Sequence, residues 1–461
     1  MSEEGLRAAT ARMRDRGTDE RAVAVFADYY RQLEAEATGY IPEDTIAPLA
    51  EVPALTGLVV DDAAAAEALA RTVVVKLNGG LGTSMGISGP KTALEVRDGL
   101  TFLDVIARQV LALRARYGVA LPLLLMNSFR TQDRSGEILA AYPDLAVDGI
   151  PLGFVQSAEP KLRADDLTPV DWPEDPELEW CPPGHGDVYV SLMTSGLLDL
   201  LREKGFRYAF LSNADNLGAT CEPRVAAWMA AEGVPYVAEV CERTRNDRKG
   251  GHLAVRTADG RLVLRDSAMV APGEEEFFSD TERHRFFHAN NLWVDLDALA
   301  ARLQERDGIL GLPIIVNRKT VDPTRPDSTP VIQVESAMGT AVGVFEGSRA
   351  LHVPRDRFRP VKTTNELLLL RSDIYRLDED ARVVSTIDHA EPFVDLSKHY
   401  RFVDGFEARF PGGAPSLAQA RSLVVEGDVT FGAGVVVRGD VHLRAGAPTT
   451  VPDGAVLTGE G

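Results

Sequence analysis

Five glycines and a lysine crowd one short stretch of this chain. Residues 71–91 read RTVVVKLNGGLGTSMGISGPK, with Gly79, Gly80, Gly82, Gly86 and Gly89 closed by Lys91. Glycine leaves no Cβ in the way, so such a loop lets a ligand touch backbone N–H groups. In open α/β sheets, nucleotide phosphates sit against a glycine-rich loop at the carboxyl end of a strand. Lys91 would add one positive charge there. Asp215, in Asn213-Ala214-Asp215-Asn216, follows another strand signal, and Mg²⁺ commonly combines one or two carboxylates with substrate phosphates and waters. His185 stands in Pro182-Pro183-Gly184-His185-Gly186-Asp187, a backbone shaped by prolines and glycines, and Lys362 precedes a Leu-rich helix in PVKTTNELLLL. A glycine loop, two cations and a carboxylate are the parts that transfer at phosphorus needs. The chemistry there is positioning and charge stabilisation, with little covalent work for the protein.

Other motifs fit the loop less well. A P-loop needs Gly-Lys followed by Ser or Thr, and here Lys91 follows Pro90. The dinucleotide fingerprint places a third glycine where Met85 stands. Gly82-Thr83-Ser84-Met85-Gly86 matches G-x-S-x-G, but that motif needs its serine on a sharp turn at the strand's end. Ser84 comes seven residues after Leu77.

The elements that must position these residues follow from hydrophobic pattern. Thr72–Leu77, Leu121–Met126, Gly153–Gln156, Tyr208–Leu211 and Val234–Cys241 read as strands. Between the first of them, Thr101 and Asp104 offer a capping box ahead of a helical repeat that Gly118 stops, and residues 133–142 look helical. This alternation predicts a mostly parallel sheet with helices on both faces. Arg285–Val294, Pro313–Val316 and Val331–Val334 are further strands with shorter helices between them. Part of the sheet is therefore expected to be antiparallel. Glu4–Thr38 favours helix and ends at Gly39 and Pro42, and Pro42–Leu58 reads as a linker packed on the core. From Ser422 glycines punctuate short Val-rich strands every five to seven residues, a spacing like that of a hexapeptide β-helix.

Composition bounds the rest. The chain has 461 residues and a net charge of −20. That length allows two or three domains, and that charge argues against a general nucleic-acid binder. Cys181, Cys221 and Cys241 are the only cysteines. They have no zinc-site spacing and too low a count for a disulfide framework. No secretory signal is seen at the N-terminus, and runs such as Val119–Met126 are too short for a membrane span. A cytoplasmic protein without nucleic-acid or membrane partners is expected.

KLNGGLGTSMGISGPK resembles the nucleotide loop of the eukaryotic-type UTP–glucose-1-phosphate uridylyltransferase (UDP-glucose pyrophosphorylase) family. Ile87 and Thr92 stand where the family more often shows cysteine and serine, at positions needing no side-chain function. The resemblance runs from about Val73 to Leu369 and is weaker in the tail. It implies a Rossmann-like, GT-A-like mixed sheet flanked by helices, with an N-terminal helical segment (1–58), a catalytic domain (59–390) and a left-handed β-helix tail (391–461) able to carry self-association. It also implies uridylyl transfer from UTP to glucose 1-phosphate, giving UDP-glucose and pyrophosphate, with Mg²⁺ as cofactor. By the same resemblance Leu81, Gly82, Lys91, Met126, Gln156, Gly184, Asn213 and Asp215 bind nucleotide, Gln156 reading the uracil edge. Asp215 holds the metal. Lys91, Lys362 and His185 serve catalysis, with Lys362 reaching the phosphates from the side opposite Lys91. His185, Gly251, Asn290, Asn291 and Glu335 face the sugar, within the segments Lys249–His252, Asn290–Trp293 and Gln333–Ser336. Two other readings remain: a UDP-N-acetylhexosamine pyrophosphorylase on the same fold, and a catalytically inactive sugar-nucleotide sensor. The NGGLGTSMG form of the loop and NNLW favour glucose, and the presence of Lys91, Asp215 and Lys362 argues against the sensor.

Overall fold

The computed structural model describes residues 2–243 and 250–460. The chain opens with helices α1 (Ser2–Asp15) and α2 (Glu20–Glu34). The expected single helical stretch is broken because Gly17 takes a φ of 82°, a left-handed turn that glycine adopts at little cost. Strand β1 (Ile46–Pro48) and helix α3 (Asp62–Ala70) follow. Next come β2 (Thr72–Asn78), α4 (Phe102–Tyr117), β3 (Leu123–Asn127), α5 (Gln132–Leu139), β4 (Gly153–Val155), α6 (Val188–Thr194), α7 (Leu197–Glu203) and β5 (Tyr208–Asn213). Helix α8 (Pro223–Glu232), strands β6 (Tyr236–Glu242), β7 (His252–Arg256), β8 (Leu262–Arg265) and β9 (Phe286–Asp295), helix α9 (Leu296–Glu305), strand β10 (Arg349–His352) and helix α10 (Thr364–Arg371) complete the main body.

These ten strands form one mixed sheet in the order β1-β7-β9-β5-β2-β3-β4, with β6 on β9, β10 on β6 and β8 on β7. Strands β5, β2, β3 and β4 are parallel, and β9 runs antiparallel to β5 and β6. Asn78 is in register with Asn127, and Asn127 with Val155. Asn213 pairs with Leu77. The loops leaving these four strands therefore share one edge, where a parallel sheet presents its ligands. The anticipated linker contributes β1, which pairs with β7.

Each sheet face has its own apolar layer. Phe102, Val105 and Ile106 of α4 and Val225 and Met229 of α8 pack on Val74, Phe210 and Trp293. On the opposite face Leu198, Leu201, Leu299 and Leu303 of α7 and α9 cover Val73, Val75, Leu211 and Leu292. Both anticipated signals around α4 are present: Thr101 and Asp104 form a reciprocal capping box, and Gly118 ends the helix in the left-handed conformation. The N-terminal helices bury Met13, Phe26 and Tyr30 against Leu162, Ile332 and Val334 of a small three-stranded sheet.

The tail forms a four-stranded parallel ladder (Phe393–Leu396, Ser416–Glu426, Val436–Arg444, Val456–Glu460) beside a two-stranded one. Phe406, Phe431 and Val437 join the same apolar cluster as Leu367 of α10 and the α4 residues. Its core is thus continuous with that of the main body.

Candidate active site

The glycine loop is pinned at both ends by one amide. Asn78 Nδ2 donates to Asn127 Oδ1 and Ser135 Oγ, each at 2.7 Å, and Asn78 Oδ1 accepts from Thr92 Oγ1 at 2.5 Å. Between those ends the loop folds on itself, with Lys91 N donating to Gly80 O and Gly82 N to Gly89 O, both at 3.3 Å. Gln156 N donates to Asn127 O at 2.8 Å, which holds the residue at the end of β4. A Cβ on Gly79 would lie 2.8 Å from Gln156 Nε2 and 3.0 Å from its Cδ and Oε1, so the amide sits flat against the loop backbone at Gly79. Asn78 and Asn127 were not singled out as site residues by sequence; the asparagine ending each of two parallel strands was the available signal.

Three charges converge at the edge of this loop. Lys91 Nζ stands 2.8 Å and Lys362 Nζ 3.3 Å from Asp215 Oδ2. Lys91 also donates to Val361 O, and Val361 N donates to Asp215 O at 3.1 Å. Lys91 is 14% exposed and fixed, whereas Lys362 is 57% exposed and free to swing. Burial would push the Asp215 carboxyl up, but the Lys362 and Lys91 charges and hydrogen bonds outweigh it and hold the group below its ordinary value. Asp215 Oδ1 is buried and has no hydrogen-bond partner among the described residues. A buried carboxylate oxygen left unpaired is costly, and this one suits a divalent cation or a ligand donor. Among the described residues no three His, Cys, Asp or Glu side chains gather to hold a metal by themselves. Mg²⁺ needs only one or two carboxylates plus phosphates and water, so Asp215 fits it.

His185 reaches the site from a turn that only glycine permits. Gly184 has a φ of 79°, and a Cβ there would lie 2.5 Å from Ser336 O. Gly186 N donates to Ser336 O and Ser336 N to Pro183 O, both at 2.9 Å, which joins His185 to the Glu335–Ser336 segment. His185 Nδ1 accepts from Met338 N at 3.0 Å, so the proton of the neutral ring is on Nε2. Burial lowers the pKa; Asp266 opposes this and Lys362 adds to it. Beneath the turn, Asp187 accepts from Ser157 N at 2.7 Å and Ser191 Oγ at 2.6 Å. It was quoted in the motif without a role, and here it fixes the turn.

The structure divides the Asn290–Asn291 pair. The ladder between β6 and β9 shifts register between Ala238 and Val240, and there Asn290 takes a φ of 55°. Asn290 Nδ2 donates to Asn213 Oδ1 at 3.0 Å, and Asn290 Oδ1 lies 3.2 Å from His288 Nε2. The Asn290 amide therefore belongs to the site, together with the unanticipated His288. Asn291 points through the sheet: it is fully buried, and its Nδ2 donates to Glu239 Oε2 at 3.0 Å and Arg357 O at 3.2 Å. The bulge turns it away from any sugar, correcting its expected role. Met126 likewise is 1% exposed and packs among Val75, Leu124 and Leu211, because strand alternation directs it into the core. Glu335 is partly exposed with Lys319 3.7 Å away, and Gly251 O accepts from His288 N at 2.9 Å. Lys249 lies outside the described residues.

Known proteins are similar to this chain in sequence and fold. The profile described as UTP–glucose-1-phosphate uridylyltransferase matches residues 23–438. The chain belongs to the UTP–glucose-1-phosphate uridylyltransferase family. It is 40% identical over 423 residues to the potato (Solanum tuberosum) enzyme of that name, covering 90% of this chain and 84% of the potato one. It is 38% identical over 394 residues to the Saccharomyces cerevisiae enzyme, covering 84% and 77%. Among solved structures, a UDP-glucose pyrophosphorylase mutant from Leishmania major in complex with UDP-glucose superimposes with a TM-score of 0.92 at 42% identity, covering 99% of both chains. The family is one of nucleotidyltransferases acting on UTP and glucose 1-phosphate. The mixed α/β body is the family's architecture. Among the described residues no helix is long and apolar enough to cross a membrane.

Proposed function

We propose that this site joins UTP and glucose 1-phosphate through the residues assembled at the carboxyl edge of the sheet. The observation that carries the reading is the meeting of Lys91 and Lys362 at Asp215 Oδ2 beside the glycine loop. An oxygen of the glucose 1-phosphate phosphate attacks the α-phosphorus of UTP in line. The bond from that phosphorus to the bridging oxygen breaks, and its electron pair leaves with pyrophosphate. The attacking phosphate is already anionic, so no general base is required.

The chain's residues bind and orient. Gln156 can donate to and accept from the uracil edge, against Leu81 and Gly82. Lys91 is fixed at the phosphates, and Lys362 moves from Asp215 onto the α-phosphate as ligand enters. His185 Nε2–H donates to the sugar or α-phosphate. Gly184 and Asn213 line the nucleotide, and Asn290, Gly251 and Glu335 offer the hexose hydroxyls neutral and charged partners. Mg²⁺, when bound, would neutralise phosphate charge, with Asp215 holding it through Oδ1. The parallel ladders support reading the tail as a left-handed β-helix. Self-association through that tail is checked by light scattering on the full chain. The buried Cys181, Cys221 and Cys241 fit a reducing, cytoplasmic setting.

The deciding experiment measures pyrophosphate release by purified protein with Mg²⁺ and UTP, with glucose 1-phosphate or N-acetylglucosamine 1-phosphate. Release with glucose 1-phosphate alone is expected. Release only with the N-acetyl sugar would keep the chemistry and move the specificity. Release with neither, despite UDP-glucose binding, would make the chain a sensor.

A further inference from the structure

Behind the sheet edge, on the α8 face, lies a closed polar network that touches no substrate position. Glu239 is fully buried and every hydrogen bond it accepts comes from the interior. Arg357 Nε and Nη2 reach it at 2.8 and 2.6 Å, Trp293 Nε1 at 3.0 Å and Asn291 Nδ2 at 3.0 Å. The network extends to Asn216, which is 2% exposed. Asn216 Nδ2 donates to Arg357 O at 3.1 Å and to Asn291 Oδ1 at 3.4 Å, while Asn216 Oδ1 accepts from Arg359 N at 2.8 Å and Gly218 N at 3.2 Å.

These bonds join two segments far apart in sequence. One is 213–220, which carries Asp215. The other is 356–362, which carries Lys362. The two run so close at Gly218 that a Cβ there would lie 2.3 Å from Asp356 O. Asn216 pairs with Pro360 as an isolated antiparallel bridge, and Val361 N donates to Asp215 O. Arg357 Nη2 also donates to Thr220 O at 3.0 Å. Each segment is thus held to the other by a side chain whose own position is set by a buried ion pair.

We propose that Asn216, seated through Asn291 on the buried Glu239–Arg357 pair, is a positioning residue that sets Asp215 and Lys362 at working distance across the site. This rests on the reading of Asp215 and Lys362 as the groups that meet metal and phosphate. The physical reason is economy of movement. Lys362 is an exposed, flexible cation, so its reach is defined only if its backbone is anchored. Misplacement of about 1 Å by a change remote from the chemistry costs on the order of 10²-fold in rate. Full hydrogen bonding around the network makes the anchor rigid.

The test compares Asn216→Ala, Lys362→Ala and the double variant in the full chain, by kcat, KM for UTP and Tm. Asn216→Ala is expected to lower kcat roughly 10- to 100-fold with KM for UTP within about threefold, the signature of an interaction used in the transition state. If Asn216 acts through Lys362, the double variant is no slower than Lys362→Ala beyond about threefold, because coupled residues are non-additive. Should Asn216→Ala fail to fold, Gly218→Ala carries the same comparison by forcing the two segments apart. Multiplying effects, or a parental kcat in both the Asn216 and Gly218 variants, would overturn the positioning role. A parental kcat in Lys362→Ala would instead overturn the assignment of Lys362 itself.

Discussion

Two carboxylates, Asp215 just past β5 and Glu239 in β6, lie on either side of β9 and carry cationic partners, yet they do opposite work. Glu239 has both oxygens satisfied by Arg357, Trp293 and Asn291 in the interior. Asp215 shares one oxygen between two lysines and leaves the other buried and unpaired. A saturated carboxylate has nothing left to offer a ligand and holds segments together. One left half-satisfied keeps free energy in reserve for a ligand that completes it. Completeness of hydrogen bonding, more than charge or burial, separates the scaffold from the site.

The comparison can be broken from either side. The largest effect is expected on stability, from Arg357→Met. Removing the partner of a buried charge costs about 3–5 kcal/mol, so thermal or urea unfolding should shift strongly. Wild-type stability would show that Glu239 does not need its pair. Lys362→Ala and Asp215→Ala should do the reverse, lowering kcat by about 10²–10³, or roughly 3–4 kcal/mol, while Tm stays near the parent's. Loss of folding with little loss of turnover would merge the two classes.

Incomplete satisfaction also predicts a pH effect on stability. Burial first, then His284 and nearby arginines, pushes His252 down to about 2, and both its ring nitrogens are buried without hydrogen-bond partners among the described residues. His288 is pushed down to about 4, mainly by burial. Near pH 6.5 the unfolded chain begins to protonate both rings while the folded chain does not. The stability tied to their neutral forms is thus present above pH 6.5 and is lost as pH falls, by roughly 2 kcal/mol per ring at pH 5. His252→Leu should therefore gain Tm relative to the parent as pH drops from 7 to 5, and a pH-independent difference would contradict this. The smallest change sharpens the site's edge. Gly79→Ala places a methyl against the Gln156 amide, and a misfit of one methyl in a pocket is worth about 1–3 kcal/mol. KM for UTP should rise by about tenfold with kcat nearly kept; an unchanged KM would remove Gln156 from the base slot.

Much of this was legible in the sequence because it is local. Thr101, Asp104 and Gly118 announce α4 because caps act within one helical turn. The density of glycine after Leu77 announces a loop built for close approach. Gly184 and the prolines before it mark the His185 turn. Other features escaped because they depend on distant partners or on a break in a regular period. Asn290 and Asn291 look alike as neighbours, but one bulge with a positive φ sends one to the site and the other into the core. Gly17 divides a helical pattern that looked continuous.

The alternation of strand and helix around the nucleotide loop, and Lys91 and Asp215 as its candidate charges, were determined by the sequence alone, since local periodicity, glycine content and side-chain chemistry need no partner to be read; His185 and Lys362 stood out through the resemblance of their motifs to the family's. Their convergence was decided only by tertiary structure. Lys91 and Lys362 meet Asp215 across separations of 124 and 147 residues, and Arg357 finds Glu239 across 118. Such contacts exist only where sheet register and loop closure place the segments side by side, and no local pattern encodes that distance.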